Sequence, residues 1–524
     1  MKEIIENMPI WCKDTIKFIK KYKTQILFGI ILIIAIFTRL YRIDELPQGV
    51  HVDEAGIAYD AYCFANYGVD RYLNKMPVYM INFGLGQSAL YTYIDSIFIK
   101  MLGLNMLSIR LPSAILGITA IVLGYFMVKK ELGEKFALAF MTLITICPWH
   151  IMASRWGLDC NLLAPMLIIS MYLLLRAKGI WGYIAAGISF GLTLYTYALS
   201  YIIVPIFLLL TLIFMLYTKR IKFRHIIIMG IPIFLLALPL MLMLLVNNGV
   251  IDEIRTPFMT IPKLGAFRGE EIDFDNIEEN MNFFDKMVTN DGLVYNAFPE
   301  FGAIYKFSIF LAVFGIFIEI NNLAKSIKKR EFTVNALMLF LYISVMACML
   351  IISGPNINKA NAVYIPLLFF TCTTLRMVHK NYPVFMDIMI IFFIMSFIGF
   401  SDFYFNKYED KYKNQIYFEK DLIEAIDYVE NTEEFANKNV YINTSSQQPY
   451  IYTLLYNKTS PYEFNEERHY KIGYNMSYGR YYFNSTKIDD NAVYIIKDKR
   501  EFAETLVGND FKTGYLNTYA IMYK

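Results

Sequence analysis

The stretch QILFGIILIIAIFTRLYRIDELPQGVHVDEAGIAYDAY, residues 25–62, joins an apolar run to a polar segment. Residues 25–41 approach the ~20 apolar residues that an α-helix needs to cross the hydrocarbon of a bilayer. Two adjacent carboxylates, Asp53 and Glu54, follow soon after this run. The stretch therefore predicts a membrane span that leads into an acidic feature close to the bilayer surface.

Composition extends the prediction of membrane spans to most of the chain. Of the 524 residues, 56% are hydrophobic and only 18% are charged, whereas a soluble domain carries about 25% charged residues. Apolar runs of membrane-spanning length predict a polytopic α-helical cell-membrane protein with about 11 transmembrane helices. The expected spans are 25–41, 106–128, 136–150, 162–175, 180–199, 201–217, 226–246, 303–320, 334–352, 362–377 and 383–403.

Basic clusters fall in every second connection between these spans and so predict the orientation. They are KFIKKYK (17–23), KKELGEK (129–135), RAKG (176–179), TKRIKFRH (218–225), KSIKKR (325–330) and RMVHK (376–380). Short basic loops remain in the cytoplasm. We therefore expect a cytoplasmic N-terminus, with the first loop (about 42–105) and a large loop (about 247–302) on the outer face. The net charge of +3 gives no reason to expect a nucleic-acid partner.

The composition changes after the last predicted span. We expect residues 1–403 to form the transmembrane domain, and residues 404–524 to form a small extracytoplasmic α/β C-terminal domain. DLIEAIDYVEN and DKREFAETLVG have helical periodicity, while KNVYINT and NAVYIIKD predict short strands.

The acidic pair itself fits two interpretations. AGIAYDAYCFANYG predicts a helix that ends at Gly68 and lies along the membrane surface, with Asp53 and Glu54 in its first turn. Acids at that end are common because they cap the helix and suit its dipole. They can also form part of a site.

Further polar residues in the predicted outer loops favour a site. Lys75 follows in the first loop, Arg155 and Asp159 lie in PWHIMASRWGLDCN, and Lys359 and Asn361 lie in SGPNINKANAVYIP. Each cation by itself is typical of an interfacial residue that extends toward water. Together, carboxylates and cations at one face fit a site for an anionic lipid head group.

Four segments carry a family resemblance. RLYRIDELPQGVHVDEAGIAYDAYCFANYGVDRYLNKMPVYMINFGLGQSALYTYI resembles the first-loop region of bacterial GT-C membrane glycosyltransferases, the relatives of the protein O-mannosyltransferases and the lipid A aminoarabinose transferase. SIRLPSAILG, PWHIMASRWGLDCN and NKANAVYIP resemble the same group in the same order, so that the resemblance covers roughly the first 380 residues.

The resemblance implies an inverting glycosyltransferase. It implies a polyprenyl-phosphate-linked sugar donor, a glycan, lipid or protein acceptor on the outer face, and a first-loop carboxylate as catalytic base. The chemistry agrees, because an attacking hydroxyl must lose a proton and a leaving lipid phosphate needs cationic donors.

The implied roles are assigned by position in the motifs. Asp53 is the expected base, Glu54 is expected to orient the acceptor or a sugar hydroxyl, and Asp159 is an acidic partner from the second loop. The expected substrate-binding residues are Arg155, Lys359, Lys75, Tyr59 and Asn361. Related sequences often have Arg where Lys359 stands, and Lys binds phosphate as a point charge without a bidentate fork.

Two questions remain open from the sequence. Some GT-C enzymes use a divalent cation and others do not; Asp53, Glu54 and Asp159 could supply oxygen ligands, but no spacing demands a metal. The alternative function is a transporter or flippase of lipid-linked glycans. A transporter should carry internal symmetry and ionisable residues near mid-bilayer, whereas these charges cluster at one face.

Overall fold

The computed structural model describes residues 10–266, 268–412, 417–471 and 475–524. Within these ranges, nine helices are long and apolar enough to cross a membrane: Lys23–Leu40, Met106–Leu132, Asp159–Arg176, Ser200–Tyr217, Phe223–Asn247, Ser308–Lys329, Val334–Ile351, Asn361–Asn381 and Pro383–Asn406. The protein is thus a multi-pass integral membrane protein.

The expected count of about 11 spans is too high by this measure. Two of the predicted spans form helices of only 13 residues, Glu134–Ile146, and 15 residues, Gly179–Thr193. At 1.5 Å per residue these helices are roughly 20 Å long, shorter than the ~30 Å hydrocarbon core. Hydropathy overcounts here because the apolar sequence on either side continues into turns rather than into the same helix.

The first loop forms a compact unit. Its helices are Val52–Tyr67, which we call the first-loop helix, and Leu90–Leu102. Between them, β1 (Tyr79–Asn82) and β2 (Leu85–Ser88) pair antiparallel, and we call this pair the first-loop hairpin. The first-loop helix ends at Gly68, whose φ of 72° is left-handed, as the sequence predicts.

The large loop contacts the first loop. It contains β3 (Ile254–Arg255), β4 (Thr260–Ile261) and the short helices Asn276–Asn280 and Phe283–Val288. The Val78 N–H donates to the Thr260 carbonyl at 3.0 Å, which joins the base of the hairpin to β4.

The C-terminal part is a mixed sheet with helices, as predicted. Its strands are β5 (Asn439–Asn443), β6 (His469–Lys471), β7 (Asn475–Tyr478), β8 (Tyr481–Phe483), β9 (Ala492–Ile496), β10 (Lys512–Leu516) and β11 (Tyr519–Tyr523). The spatial order is β10-β11-β9-β5-β8-β7-β6. Central β5 is parallel to both β9 and β8, while the remaining pairs are antiparallel. The helices are Lys420–Asn431, Tyr450–Asn457, Pro461–Glu467 and Arg500–Val507.

The first-loop helix does not lie on an open surface, contrary to the expectation from its sequence. Val52, Ala55, Tyr59 and Cys63 pack in one apolar cluster with residues of the C-terminal domain. The other faces of the helix are also largely buried. The first-loop helix, which carries Asp53, is therefore packed between the helical bundle and the C-terminal domain.

Candidate active site

The start of the first-loop helix is fixed by a reciprocal cap. His51 is the capping residue: its Nδ1 accepts from the Asp53 N–H at 3.2 Å, and its own N–H donates to Glu54 Oε2 at 3.4 Å. Such a capping box satisfies two of the free N–H groups at a helix start. Burial lowers the pKa of His51, so the ring is neutral, with Nδ1 as acceptor and its proton on Nε2.

Glu54 lies in a fully buried ion pair. Its carboxylate accepts from Arg110 Nε at 3.0 Å, from Arg110 Nη2 at 3.2 Å and from the Gly157 N–H at 2.7 Å. Both side chains of the pair have no exposed surface. The Glu54 carboxylate therefore binds Arg110 and is not accessible to a substrate hydroxyl. This arrangement does not support the expected role of Glu54 in orienting a substrate.

Arg110 uses all of its donors. Besides Glu54, it donates to the carbonyls of Ile43, Pro47 and Gly49 at 2.7–3.0 Å. These carbonyls belong to the segment that leads from the first span to the first-loop helix. Arg110 thus ties that segment to the helix start.

Asp53, by contrast, keeps an accessible carboxylate. Its side chain is 39% exposed, and Oδ2 lies 3.8 Å from His51 Nδ1. Asn82 Nδ2 lies 3.4 Å from Asp53 Oδ1, a long contact from the first-loop hairpin. One oxygen of Asp53 is therefore oriented by an amide, and the carboxylate remains available to a ligand.

The first-loop hairpin connects Asp53 to Asp159. Asn82 also donates to Gln87 Oε1 at 2.9 Å across the hairpin, and the next residue, Ser88, donates its N–H to Asp159 Oδ2 at 3.1 Å. Asp159 Oδ1 accepts from the Cys160 N–H at 2.8 Å. The two predicted acids therefore contact the two ends of one hairpin, although they do not contact each other.

A cavity of about 590 Å³, which we call the hairpin cavity, lies between this hairpin and two of the long apolar helices. Its walls include Tyr79 and Gly86 of the hairpin, Tyr201 and Leu244 of two spans, and Lys359. A Cβ on Gly86 would come within 1.9 Å of a Tyr79 ring carbon, so only glycine allows this wall to pack as it does. The Tyr201 hydroxyl is buried and finds no hydrogen-bond partner among the described residues.

Lys359 reaches the same cavity but is held by protein groups. Its Nζ donates to Glu271 Oε2 at 2.8 Å and to the Ser353 carbonyl at 2.7 Å, and the side chain is 16% exposed. The expected cation is thus placed beside an apolar cavity. A phosphate there would have to compete with Glu271 or displace it.

Arg155, also expected at the phosphate, is placed elsewhere. It is fully buried, and its donors go to the carbonyls of Thr38, Tyr41, Arg42 and Leu46 at 2.8–3.2 Å and to the Tyr404 hydroxyl at 3.2 Å. Because the guanidinium is fully buried among these partners, it presents no accessible donor to a lipid phosphate in this arrangement. Arg155 therefore has the same role as Arg110: both side chains hold the segment between the first span and the first-loop helix by donating to its backbone carbonyls.

Three other predicted binding residues also lie away from the accessible carboxylate. Tyr59 is buried and donates to the Thr459 carbonyl of the C-terminal domain at 2.8 Å. Asn361 is buried between Trp149 Nε1 at 2.5 Å and the Cys160 carbonyl at 2.7 Å. Lys75 is exposed in the turn before the hairpin.

The three acids proposed as oxygen ligands do not form a metal site. Glu54 gives its oxygens to Arg110 and Gly157, and Asp159 gives its oxygens to Ser88 and Cys160, so only Asp53 has a carboxylate open to an ion. Within the described ranges, no group of three Asp, Glu, His or Cys side chains is arranged to hold a metal. The donor set does not fit a divalent cation.

Sequence reasoning missed Arg110, Asn82 and Tyr201. Arg110 stands in SIRLPSAILG, inside a long apolar helix, and a charge in such a position is usually paired or functional. Asn82 and Tyr201 have no comparable signal, because an Asn in a turn-rich loop and a Tyr at a span end are both ordinary.

Part of the chain matches a known protein family. Residues 87–244 match the family described as dolichyl-phosphate-mannose-protein mannosyltransferase. This range includes Arg110 and Asp159 but begins after Asp53. A comparison with curated protein sequences gives no significant match.

Two solved structures of one protein share the fold over nearly the whole chain. ArnT from Cupriavidus metallidurans in the apo state has a TM-score of 0.55 and 11% identity, and covers 96% of this chain and 98% of that chain. The same protein bound to undecaprenyl phosphate has a TM-score of 0.53 and 11% identity, with the same coverage.

An archaeal protein is also similar over part of its length. The Archaeoglobus fulgidus oligosaccharyltransferase in complex with Zn and sulfate has a TM-score of 0.49 and 14% identity, and covers 83% of this chain. This chain spans 61% of the length of that protein. Residues 87–244 of this chain are thus similar to the dolichyl-phosphate-mannose-protein mannosyltransferase family, and the chain as a whole shares the fold of ArnT.

Proposed function

We propose that the protein is an inverting glycosyltransferase that moves a sugar from a polyprenyl-phosphate donor to an acceptor on the outer face of the membrane. The observation that carries the proposal is the contrast between Asp53 and Glu54. Glu54 is fully buried in an ion pair, whereas its neighbour Asp53 keeps an accessible carboxylate. A rigid helix start with one open carboxylate suits a general base.

The donor fits the hairpin cavity. Its walls combine apolar side chains of two spans with Lys359 and Tyr201, and about 590 Å³ suits a lipid head group. One of the related ArnT structures holds undecaprenyl phosphate, which supports a lipid phosphate as the donor carrier. Lys359 would stabilise the phosphate that leaves, and the Tyr201 hydroxyl can donate to it.

The proposed reaction is one displacement. The acceptor hydroxyl gives its proton to Asp53, its oxygen forms a bond to the anomeric carbon, and the bond from that carbon to the phosphate oxygen breaks. The polyprenyl phosphate leaves with the bonding electron pair, as an anion that needs no protein acid. Attack from the face opposite to the leaving group inverts the anomeric configuration.

The orientation follows from the basic loops of the sequence. With the N-terminus in the cytoplasm, the first loop and the C-terminal domain lie outside the membrane. Donor and acceptor then meet at the outer face, next to the C-terminal domain.

The test compares Asp53→Asn with wild type in membranes supplied with a radiolabelled total lipid extract. We expect transfer of label from lipid to acceptor to fall by about 10²–10⁴-fold, the usual contribution of a general base. Asp44→Asn is the matched control, because Asp44 is an exposed carboxylate of the same loop. Both variants should reach wild-type levels in the membrane.

Equal transfer by Asp53→Asn and Asp44→Asn would remove Asp53 as the base. A protein that exports lipid-linked glycan in wild-type amounts, with no transfer in any variant, would be a flippase and not a transferase.

A further inference from the structure

A second cavity, of about 710 Å³, lies between the helical bundle and the C-terminal domain. Part of its lining is aromatic: Trp156, Tyr295, Phe298, Tyr408, Tyr417 and Phe418. Aromatic faces pack against the C–H faces of sugar rings. We call this space the interdomain cavity.

Another part of the lining of the interdomain cavity is acidic. Five carboxylates line it against two lysines: Glu409, Asp410, Glu419, Asp421 and Glu424 against Lys420 and Lys497. Lys420 donates to Gln48 Oε1 at 2.9 Å and lies 3.7 Å from Glu424, so these two opposite charges partly offset each other. Lys497 lies over the Tyr519 ring at 5.0 Å.

Several of these carboxylates are held in place by neutral donors. Asp421 accepts from the Thr518 hydroxyl at 2.6 Å, and Glu419 accepts from the Ser446 hydroxyl at 2.6 Å. Glu409 accepts from the Gln48 amide. These bonds fix the positions of the carboxyl groups. Burial raises the pKa of Glu409 to about 7 and also raises the pKa of Glu419, so the negative charge of the lining rests chiefly on Asp410, Asp421 and Glu424, while all five groups offer acceptor oxygens.

The aromatic wall of the interdomain cavity also surrounds His51. The centroid of the His51 ring lies 5.2 Å from that of Trp156, 5.3 Å from that of Tyr295 and 5.9 Å from that of Phe418. His51 Nδ1 is in turn 3.8 Å from Asp53 Oδ2. The His51 ring thus stands between the aromatic lining of the cavity and the accessible carboxylate of Asp53.

We infer that the interdomain cavity binds the acceptor, and that the acceptor is a saccharide without phosphate or carboxylate groups. This inference rests on the proposed function, since it names the substrate class of the same site. Sugar hydroxyls and amines donate to the fixed carboxylates, and sugar rings stack on the aromatic wall. An anionic saccharide meets like charges at short range, which excludes it.

The test measures binding of three tetrasaccharides to the purified full-length protein at neutral pH and low ionic strength. The probes are glucosamine tetramer, N-acetylglucosamine tetramer and galacturonate tetramer, which are cationic, neutral and anionic. We expect the glucosamine tetramer to bind at least tenfold more tightly than the galacturonate tetramer, with the neutral probe between them. Raising the salt concentration should narrow the difference, because it screens the charges.

Variants that remove carboxylates from the lining test whether this order of affinities arises in the interdomain cavity. Asp410→Asn together with Glu424→Gln removes two charges at partly exposed positions and should reduce the difference between the cationic and anionic probes severalfold. Asp427→Asn is the control, because it removes an exposed carboxylate from the same helix as Glu424 but outside the cavity lining. Preferred binding of the galacturonate tetramer, no binding of any probe, or the same order in the double variant would overturn the inference.

These outcomes are separate from the test of the proposed function. If Asp53→Asn keeps full transfer activity while the probes bind in the expected order, the proposed base fails and the saccharide site stands. If Asp53→Asn loses transfer and the galacturonate tetramer binds best, the transferase stands and only the acceptor class is wrong.

Discussion

Replacing Glu54 by Gln tests the inference that this residue holds the start of the first-loop helix and does not contact substrate. The carboxylate accepts two bonds from Arg110 and one from the Gly157 N–H, all in a fully buried setting. Gln keeps the size but removes the charge. It also turns one acceptor into an N–H₂ group that faces the Arg110 guanidinium.

The expected loss follows from the burial of the partner. Removing one member of a buried ion pair leaves an uncompensated charge and costs about 3–5 kcal/mol. Arg110 retains the carbonyls of Ile43, Pro47 and Gly49, which places the expected loss at the lower end, ~3 kcal/mol. Because folded proteins are stable by only about 5–15 kcal/mol, the variant should melt several degrees below wild type.

The assay is thermal unfolding of the detergent-purified protein. Glu45→Gln is the control, because Glu45 pairs with Arg42 at an exposed site with 57% of its side chain accessible, and such a pair contributes at most about 1 kcal/mol. Equal melting temperatures for Glu54→Gln and Glu45→Gln would refute the structural role of Glu54.

Three further predictions concern the cavities and the linker between the first span and the first-loop helix. Gly86→Ala should weaken binding of undecaprenyl phosphate, because the added Cβ would lie 1.9 Å from a Tyr79 ring carbon in the wall of the proposed donor cavity. Gly29→Ala is the control: its Cβ would meet nothing within 4 Å, so this variant should bind the lipid like wild type. Arg155→Lys should lower the melting temperature, because a Lys cannot serve the five acceptors that this buried guanidinium reaches. The same variant should leave the affinity for undecaprenyl phosphate unchanged, and a selective loss of lipid affinity would contradict this prediction. Burial raises the pKa of the Glu409 carboxyl to about 7 from its usual 4.5. The folded protein therefore favours the protonated form of Glu409. The contribution of this group to the free energy of unfolding is fully present below pH ~4.5 and is lost as the pH rises through about 7. Between about pH 4.5 and 7, the melting temperature of Glu409→Gln should therefore fall less than that of the wild-type protein. If the two melting temperatures change with pH in parallel, Glu409 is not buried as described.

The predictions from the sequence succeeded where they depended on short-range patterns. Apolar runs identified the long helices, and Gly68 marked the end of the first-loop helix because only a left-handed residue closes it there. The four C-terminal segments that were assigned as helices and strands take those forms. The membrane count was too high because hydropathy measures apolar length and not where the backbone turns.

The roles of individual charges were less predictable. Asp53 and Glu54 are adjacent and chemically alike, yet one is 39% exposed and the other fully buried. What separates them is Arg110, which is more than fifty positions away in the sequence. Similarly, Arg155 resembles a phosphate ligand in sequence and proves to bind backbone carbonyls of the segment before the first-loop helix.

By itself, the sequence determined that this chain is a multi-pass membrane protein, that an acidic helix follows the first span, and which family it resembles. These features depend on hydropathy, on helix caps and on motifs of neighbouring residues. Only the tertiary structure decided which carboxylate stays open, where the cavities lie, and that the C-terminal domain packs on the helix of Asp53. The physical reason is that burial and pairing of a charge depend on residues far apart in the chain, and such contacts leave no local pattern in the sequence.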